Sequence, residues 1–323
     1  MKKFLLVFLL VSILLLSVNA FAAAQKTDFK GVFITISTDQ PGGGWYPFGG
    51  VLATIWQKYI PGLNVTVQIS AGGMENLMLM EQKRVDLGFA NPDYSYYKYN
   101  GTGAFEGKPP YKDMRTLFNM LAGYYHVVTP ENSGVNTIYD LKGKKYGMPP
   151  VGNAMNIAVQ AMFDAYGLKE GDVEYFRGEE ADQVDAIKDG LIGATLFPMF
   201  LGSADMMDLI TANHARLVPV TGAERDEIIA KYPFYSALTI PKEAYGIPED
   251  VDTFGLTSFC AVDASMDEDL VYTLVKTFYE HLDEVKAMYP AAKDLSVQTA
   301  GSSVVVPLHP GTEKYLKEVG VIK

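Results

Sequence analysis

The alternation of strand-like and helix-like segments constrains the fold of this chain more than any other feature. The segments "GVFITIS" (31–37) and "LNVTVQIS" (63–70) have the apolar or alternating pattern of strands. The apolar stripe between them has the three- and four-residue spacing of a helix and comprises Phe48, Val51, Leu52, Ile55, Trp56 and Tyr59. The alternation continues to "GATLFPM" (193–199). It predicts an α/β fold with helices packed on a largely parallel sheet.

Glycines fall in three loops, each after a predicted strand and before a predicted helix. These loops contain Gly42–Gly44, Gly72–Gly73 and Gly152. Ligands of open α/β sheets bind at the carboxyl ends of the strands, where a following helix presents free backbone N–H groups. A tight turn without a ligand would explain any one of these loops. Three loops in two halves of the chain favour a ligand cleft between two lobes.

The first residues have the order of a secretory signal peptide. Lys2 and Lys3 precede an apolar run at 4–16, and small residues follow it. We expect residues 1–24 to be the signal peptide and the mature protein to be periplasmic. The one cysteine, Cys260, is far from the cleavage region, which excludes a lipid anchor there and an intramolecular disulfide.

Charge and motif content argue against several functions. The net charge of −11 disfavours nucleic acid and anionic membranes as partners, although a cleft can still be locally positive. No nucleophile elbow, phosphate-binding loop or metal-ligand spacing occurs, and the histidines are scattered, at His126, His214, His281 and His309. We therefore expect no catalytic residue, metal or cofactor. An exported enzyme that uses Asp93 with nearby tyrosines is the less favoured alternative.

Two further features indicate ligand contacts. The run "NPDYSYYKYNGTGAFEG" (91–107) holds four tyrosines, of which two are expected to pack and the others, Tyr97 among them, to contact ligand. Arg177 ends the predicted buried strand "DVEYF" just before a helix, so its guanidinium could bind a ligand carboxylate in the cleft. The alternative is a surface salt bridge from Arg177 to Glu179 or Glu180.

The segments "STDQPGGGWYPFGG", "SAGGMENLMLMEQKRVDLGFANPDYSYYKYNGTGAFEG", "DLKGKKYGMP", "KYPFYSALTIPKEAY" and "PLHPGTEKYLKEVG" occur in this order along the chain. Together they resemble the TAXI-type solute-binding proteins of TRAP transporters. The resemblance implies a two-lobed type II periplasmic binding fold, with lobe one at 25–125 and 251–323 and lobe two at 126–250. It also implies a monomer that binds a small carboxylate or amino acid, glutamate-like in known relatives. The partner would be an ion-gradient-driven TRAP permease, or alternatively a sensor protein.

The resemblance also assigns site residues. The first glycine loop and the residues after it would form one wall, the segment 70–76 a second, and the residues after "VDLGFA" a third. The loop at 150–153 would face them from lobe two. With Tyr97 and Arg177 added, the candidate ligand-binding residues are Gly43, Gly44, Trp45, Tyr46, Gly72, Gly73, Asn91, Asp93, Tyr97, Gly152, Asn153 and Arg177.

Overall fold

The computed structural model describes residues 28–41, 44–151, 153, 155–302 and 304–323. The predicted signal peptide, Gly43 and Gly152 lie outside them. The strands are β1 (Phe33–Ser37), β2 (Asn64–Gln68), β3 (Leu87–Ala90), β4 (Met114–Pro130), β5 (Lys145–Met148), β6 (Glu174–Arg177), β7 (Ala194–Met199), β8 (Ala215–Leu217), β9 (Ser236–Ile240) and β10 (Val251–Asp263).

Helices alternate with strands over much of the chain, as the sequence predicts, and three described helices follow the last strand in succession. The helices are α1 (Trp45–Tyr59), α2 (Gly73–Glu81), α3 (Pro92–Asn100), α4 (Met155–Ala165), α5 (Glu180–Lys188), α6 (Ala204–Thr211), α7 (Gly222–Lys231), α8 (Glu268–Glu280), α9 (Leu282–Met288) and α10 (Pro310–Glu318). The apolar stripe of α1 packs inward, since Phe48, Leu52 and Ile55 are buried. In the described residues, no helix is long and apolar enough to span a bilayer.

The sheet is mixed, so the expectation of a largely parallel sheet holds only at its two flanks. The strand order is β2-β1-β3-β10-β4-β7-β5-β6, with β8 and β9 paired to β4 and β10. β1 is parallel to β2 and β3, and β5 is parallel to β6 and β7. The central strands β4 and β10 are antiparallel to each other and to the strands that flank them. They are the two longest described strands, with 17 and 13 residues, and they lie side by side between the parallel flanks.

Separate hydrophobic cores divide the structure into two lobes. In lobe one, the side chains of α1, α8 and the first half of β4 pack together, and the rings of Phe118 and Phe278 stack with centroids 4.2 Å apart. Trp56 is fully buried in this core and donates its indole N–H to the carbonyl oxygen of Leu274 at 2.9 Å. Lobe two is built around β5, β7 and α4, where Tyr146 packs against Phe163.

In the part of the chain that the structure describes, two strands connect the lobes. β4 contributes Phe118 to the core of lobe one and Val127 to a core of lobe two. β10 contributes Phe254 to lobe two and Cys260 to lobe one. Cys260 is buried, as expected, and burial raises the pKa of its thiol.

The crossing strands lie close together at Gly123 and Gly255. A Cβ atom on Gly255 would lie 2.2 Å from the carbonyl oxygen of Gly123, so β10 could not carry a larger residue at position 255 without moving. The pairing of the two strands also shifts register between Thr257 and Phe259. The chain therefore passes between the lobes through an irregular part of the sheet.

The prediction that "DVEYF" forms a buried strand is wrong. β6 is the edge strand of the sheet, and Glu174 and Arg177 at its ends are exposed. Alternating apolar residues indicate a strand but carry little information about whether that strand lies at the centre or at the edge.

Candidate functional site

A cleft of about 670 Å³ lies between the two lobes. Lobe one lines it with Asp39, Trp45, residues 71–74, Asn91, Asp93 and Tyr94. Lobe two lines it with Pro149, Pro150, Asn153, Met155, Glu179, Glu180, Gln183 and residues 196–200. The crossing strands form its floor with Leu121, Gly123, Tyr125, Leu256 and Ser258. We call this space the interlobe cleft.

Among the described residues, five helices begin at the interlobe cleft, three from lobe one (α1, α2 and α3) and two from lobe two (α4 and α5). The amides of a helix's first turn have no acceptor within the helix. At α1, Asp39 satisfies them: its carboxylate accepts the backbone N–H of Trp45 at 3.2 Å and of Tyr46 at 2.6 Å. The free amides at the start of α1 therefore already have an acceptor within the chain, the carboxylate of Asp39.

The start of α2 is built around small residues. Gly72 has a φ of +111°, which a side chain would strain, and its N–H donates to Ser70 Oγ at 2.9 Å. A Cβ on Gly73 would lie 3.3 Å from the backbone nitrogen of Asn91 and 3.5 Å from the ring of Trp45. The second glycine loop therefore leaves the first turn of α2 open to the cleft with α3 packed close beside it.

Asp93 supplies a buried carboxyl group at the start of α3. Its exposed fraction is 6%, and no described Lys or Arg forms an ion pair with it. Burial raises the pKa of Asp93 from 3.8 to about 6, although the backbone N–H of Tyr94, which donates to Oδ1 at 2.7 Å, opposes that shift. A cationic group in the cleft would stabilise the ionised form of this carboxyl group.

The wall from lobe two is held by side-chain bonds to the backbone. Asn153 Oδ1 accepts the N–H of Met155 at 2.9 Å, which caps α4. Asn156 donates its amide hydrogens to the carbonyl oxygens of Pro150 at 2.8 Å and Asn153 at 2.9 Å. Glu179 forms a capping box with Asp182 at the start of α5. Most polar groups of this wall therefore already have hydrogen-bond partners within the protein.

Among the described residues, every charged side chain that lines the interlobe cleft is acidic. Four carboxyl groups line it, from Asp39, Asp93, Glu179 and Glu180, and no Lys or Arg does. Asp39 and Glu179 cap helices, which leaves Asp93 as the buried carboxyl group free to meet a ligand. The cleft is thus suited to a positively charged group near Asp93 and to an anionic group only at backbone amides.

Phe200 brings the lobes into contact beside the cleft. It follows β7 in lobe two, yet it packs against the core of lobe one. A Cβ on Gly44 would lie 2.9 Å from the Phe200 ring, so the glycine permits this approach. The carbonyl oxygen of Gly44 also accepts the hydroxyl of Tyr289 at 2.9 Å, which holds the loop in place.

Two candidate residues line a second cavity instead of the cleft. This cavity, of about 560 Å³, contains Tyr97 together with lobe-two residues, namely Met148, Val151, Asn156, Ile157, Gln160, Tyr175, Arg177 and Tyr232. Arg177 Nη1 donates to the carbonyl oxygen of Pro149 at 2.9 Å and to Asn156 Oδ1 at 3.2 Å. The expected reach of Arg177 into the cleft is therefore wrong, and so is its pairing with Glu179 or Glu180.

Six of the other candidate ligand-binding residues lie together around the interlobe cleft: Trp45, Gly72, Gly73, Asn91, Asp93 and Asn153. Gly44 packs beside it, and Tyr46 contributes its backbone N–H to Asp39. Sequence reasoning missed Asp39, Tyr94, Glu179, Phe200 and Ser258. The spacing of Glu179 and Asp182 is a capping-box signal that could have located the start of α5.

The comparison with known protein families gives one match, to the model described as the NMT1-like family, over residues 36–320. The chain belongs to the NMT1-like family. That match extends from β1 through α10 and so includes both lobes and every described residue of the cleft.

Solved structures similar to this NMT1-like chain are periplasmic binding proteins. A TctC solute-binding protein from Polaromonas matches with a TM-score of 0.56 at 16% identity, covering 82% of this chain and 88% of that one. The sulfonate-binding protein SsuA from Methylobacillus flagellatus matches with a TM-score of 0.53 at 13% identity, covering 90% and 88%. MatC from Rhodopseudomonas palustris, with bound malate, matches with a TM-score of 0.51 at 9% identity, covering 90% and 98%. The fold is therefore the two-lobed α/β fold of periplasmic binding proteins, as predicted.

Proposed function

We propose that this protein is a periplasmic solute receptor that binds a small amino acid in the interlobe cleft. The observation that carries the proposal is the cleft itself, a space of about 670 Å³ between two lobes joined by two strands. A volume in this range is typical of small-molecule sites. Membership of the NMT1-like family and the shared binding-protein fold support a receptor over an enzyme.

The polar groups of the cleft favour a ligand with both an amine and a carboxylate. Asp93 is buried and lacks a basic partner in the described chain, so a ligand ammonium would supply the missing positive charge. The first-turn amides of α2, beginning at Gly73, would receive the carboxylate, because a helix N-terminus attracts anions. A glutamate-like amino acid meets both requirements, whereas a simple organic acid meets only the second.

Transport would require the lobes to close around the ligand. A ligand that contacts Asp93 in lobe one and the wall at Pro150 in lobe two binds best when the lobes are together, and so shifts the equilibrium toward the closed form. We propose that the closed monomer delivers its ligand to a TRAP permease, as the resemblance to TAXI-type receptors implies. Residues 1–24 would act as the export signal.

Mass spectrometry of the small molecule that copurifies with the protein tests the proposal. We expect a compound with a protonatable amine and a carboxylate, present at about one molecule per protein. A copurifying dicarboxylate without an amine, or a phosphate or sulfonate ester, would contradict the proposed ligand class. Turnover of the bound compound by the protein would contradict the receptor function.

A further inference from the structure

We propose that the second cavity is a binding site for a small aromatic carboxylate, separate from the interlobe cleft. The cavity has about 560 Å³ of space and lies where α3 of lobe one faces β5, β6 and α4 of lobe two. Its chemistry is the opposite of that of the cleft. It therefore requires a different ligand, and the inference does not depend on the function proposed above.

The charge of the second cavity favours an anion. Arg177 is its one cationic residue in the described chain, and no carboxylate lines it. The two bonds from Arg177 to Pro149 and Asn156 both use Nη1. The guanidinium group has five N–H donors in a planar fork, so the Nε and Nη2 hydrogens remain to bind a carboxylate.

The walls of the second cavity favour an aromatic ring. Three tyrosines surround it, Tyr97 from lobe one and Tyr175 and Tyr232 from lobe two. The guanidinium carbon of Arg177 lies 5.4 Å from the centroid of the Tyr175 ring, within the distance of a cation–π contact. Aromatic side chains bind a ligand ring by edge and offset contacts, and their hydroxyl groups can donate hydrogen bonds to it. A flat ring with one carboxylate uses both the tyrosines and Arg177.

Described residues that follow β5 line both cavities. Pro149 and Asn153 face the cleft, whereas Val151 and Asn156 face the second cavity. Val151 is 84% exposed, so its side chain is available to cover a ligand ring.

Isothermal titration calorimetry with benzoate tests the proposal, with benzamide as a neutral probe of nearly the same shape. We expect benzoate to bind with 1:1 stoichiometry and at least tenfold more tightly than benzamide, because charge-assisted hydrogen bonds from Arg177 to a carboxylate are stronger than those to a neutral amide. Equal affinities for the two probes, or no benzoate binding at millimolar concentration, would overturn the proposal.

A substitution that adds a negative charge to the second cavity tests whether benzoate binds there. Gln160 is exposed on α4, lines the cavity and donates from Nε2 to Asp164 Oδ1 at 2.7 Å. Gln160→Glu replaces that bond with a like-charge pair at a small cost in stability, and it should weaken benzoate binding at least fivefold. Gln298→Glu makes the same change at an exposed position outside both cavities and should leave the affinity unchanged. Glutamate binding should be unaffected by Gln160→Glu. Equal benzoate affinity in the two variants would place benzoate elsewhere, whatever the outcome for the cleft.

Discussion

Replacement of Asp93 by asparagine should stabilise the protein and impair ligand binding at the same time. The variant keeps the shape of the side chain, and its Oδ1 can still accept the N–H of Tyr94. It removes a carboxyl group that is 6% exposed and has no basic partner in the described residues. Functional sites often contain residues that lower stability because function requires them. A destabilising carboxyl group at position 93 is therefore expected if its charge binds ligand.

The magnitude follows from the pKa of Asp93, which burial raises from 3.8 to about 6. A raised carboxyl pKa means that the folded state holds the proton more tightly than the unfolded chain, so stability from this group is lost as pH rises from about 4 to about 6. Asparagine does not ionise, so the variant should gain about 3 kcal/mol over the parent at pH 7.5 but only about 1 kcal/mol at pH 4.5.

Urea denaturation of both proteins without ligand, at the two pH values, measures this difference. Asp189→Asn is the matched control, since Asp189 is exposed, and its effect should stay within about 0.5 kcal/mol. Calorimetry at pH 7.5 should show that Asp93→Asn weakens binding of an amino acid ligand at least tenfold. A variant that is destabilised at pH 7.5, or one whose gain does not depend on pH, would refute the reasoning about buried charge.

Three other outcomes follow from the site. Trp45 lines the cleft and is 8% exposed, whereas Trp56 is fully buried, so Trp45→Phe should abolish most of the fluorescence change on ligand binding; a full signal in the variant would remove Trp45 from the site. Gly73→Ala should weaken binding severalfold, because its Cβ would lie 3.3 Å from the backbone nitrogen of Asn91 and crowd the start of α3. Gly50→Ala, whose Cβ would meet nothing within 4 Å, should raise stability by about 0.5–1 kcal/mol and leave binding unchanged. EDTA should leave the melting temperature unchanged, because the described residues contain no group of metal ligands; a lower melting temperature would indicate a bound cation.

The strand, loop and helix order could be predicted from sequence because each signal is local. Period-two and period-3.6 patterns identified β1 and α1, and glycines at Gly72 and Gly73 marked a loop that needs small residues. The strand, loop and helix signals depend on neighbours within a few residues, so one sequence is enough to find them. The assignment of Asp93 to the site rests instead on the resemblance of the residues after "VDLGFA" to those of TAXI-type receptors.

The predictions that were wrong, and the site residues that were missed, depend on contacts between distant segments. Arg177 has the expected position at the end of a strand, but β6 is an edge strand and its last side chain turns to the second cavity. Asp39 and Phe200 were missed because their roles arise from the α1 amides and from the approach of the two lobes. The sequence carries no local signal for how far apart the lobes stand.

The most direct test of the central claim is a calorimetric comparison of glutamate with glutarate, which differs only in lacking the amine. If Asp93 receives an ammonium group in the interlobe cleft, glutamate should bind with 1:1 stoichiometry and at least tenfold more tightly than glutarate at pH 7.5. Equal or tighter binding of glutarate, or no binding of either compound, would contradict the account.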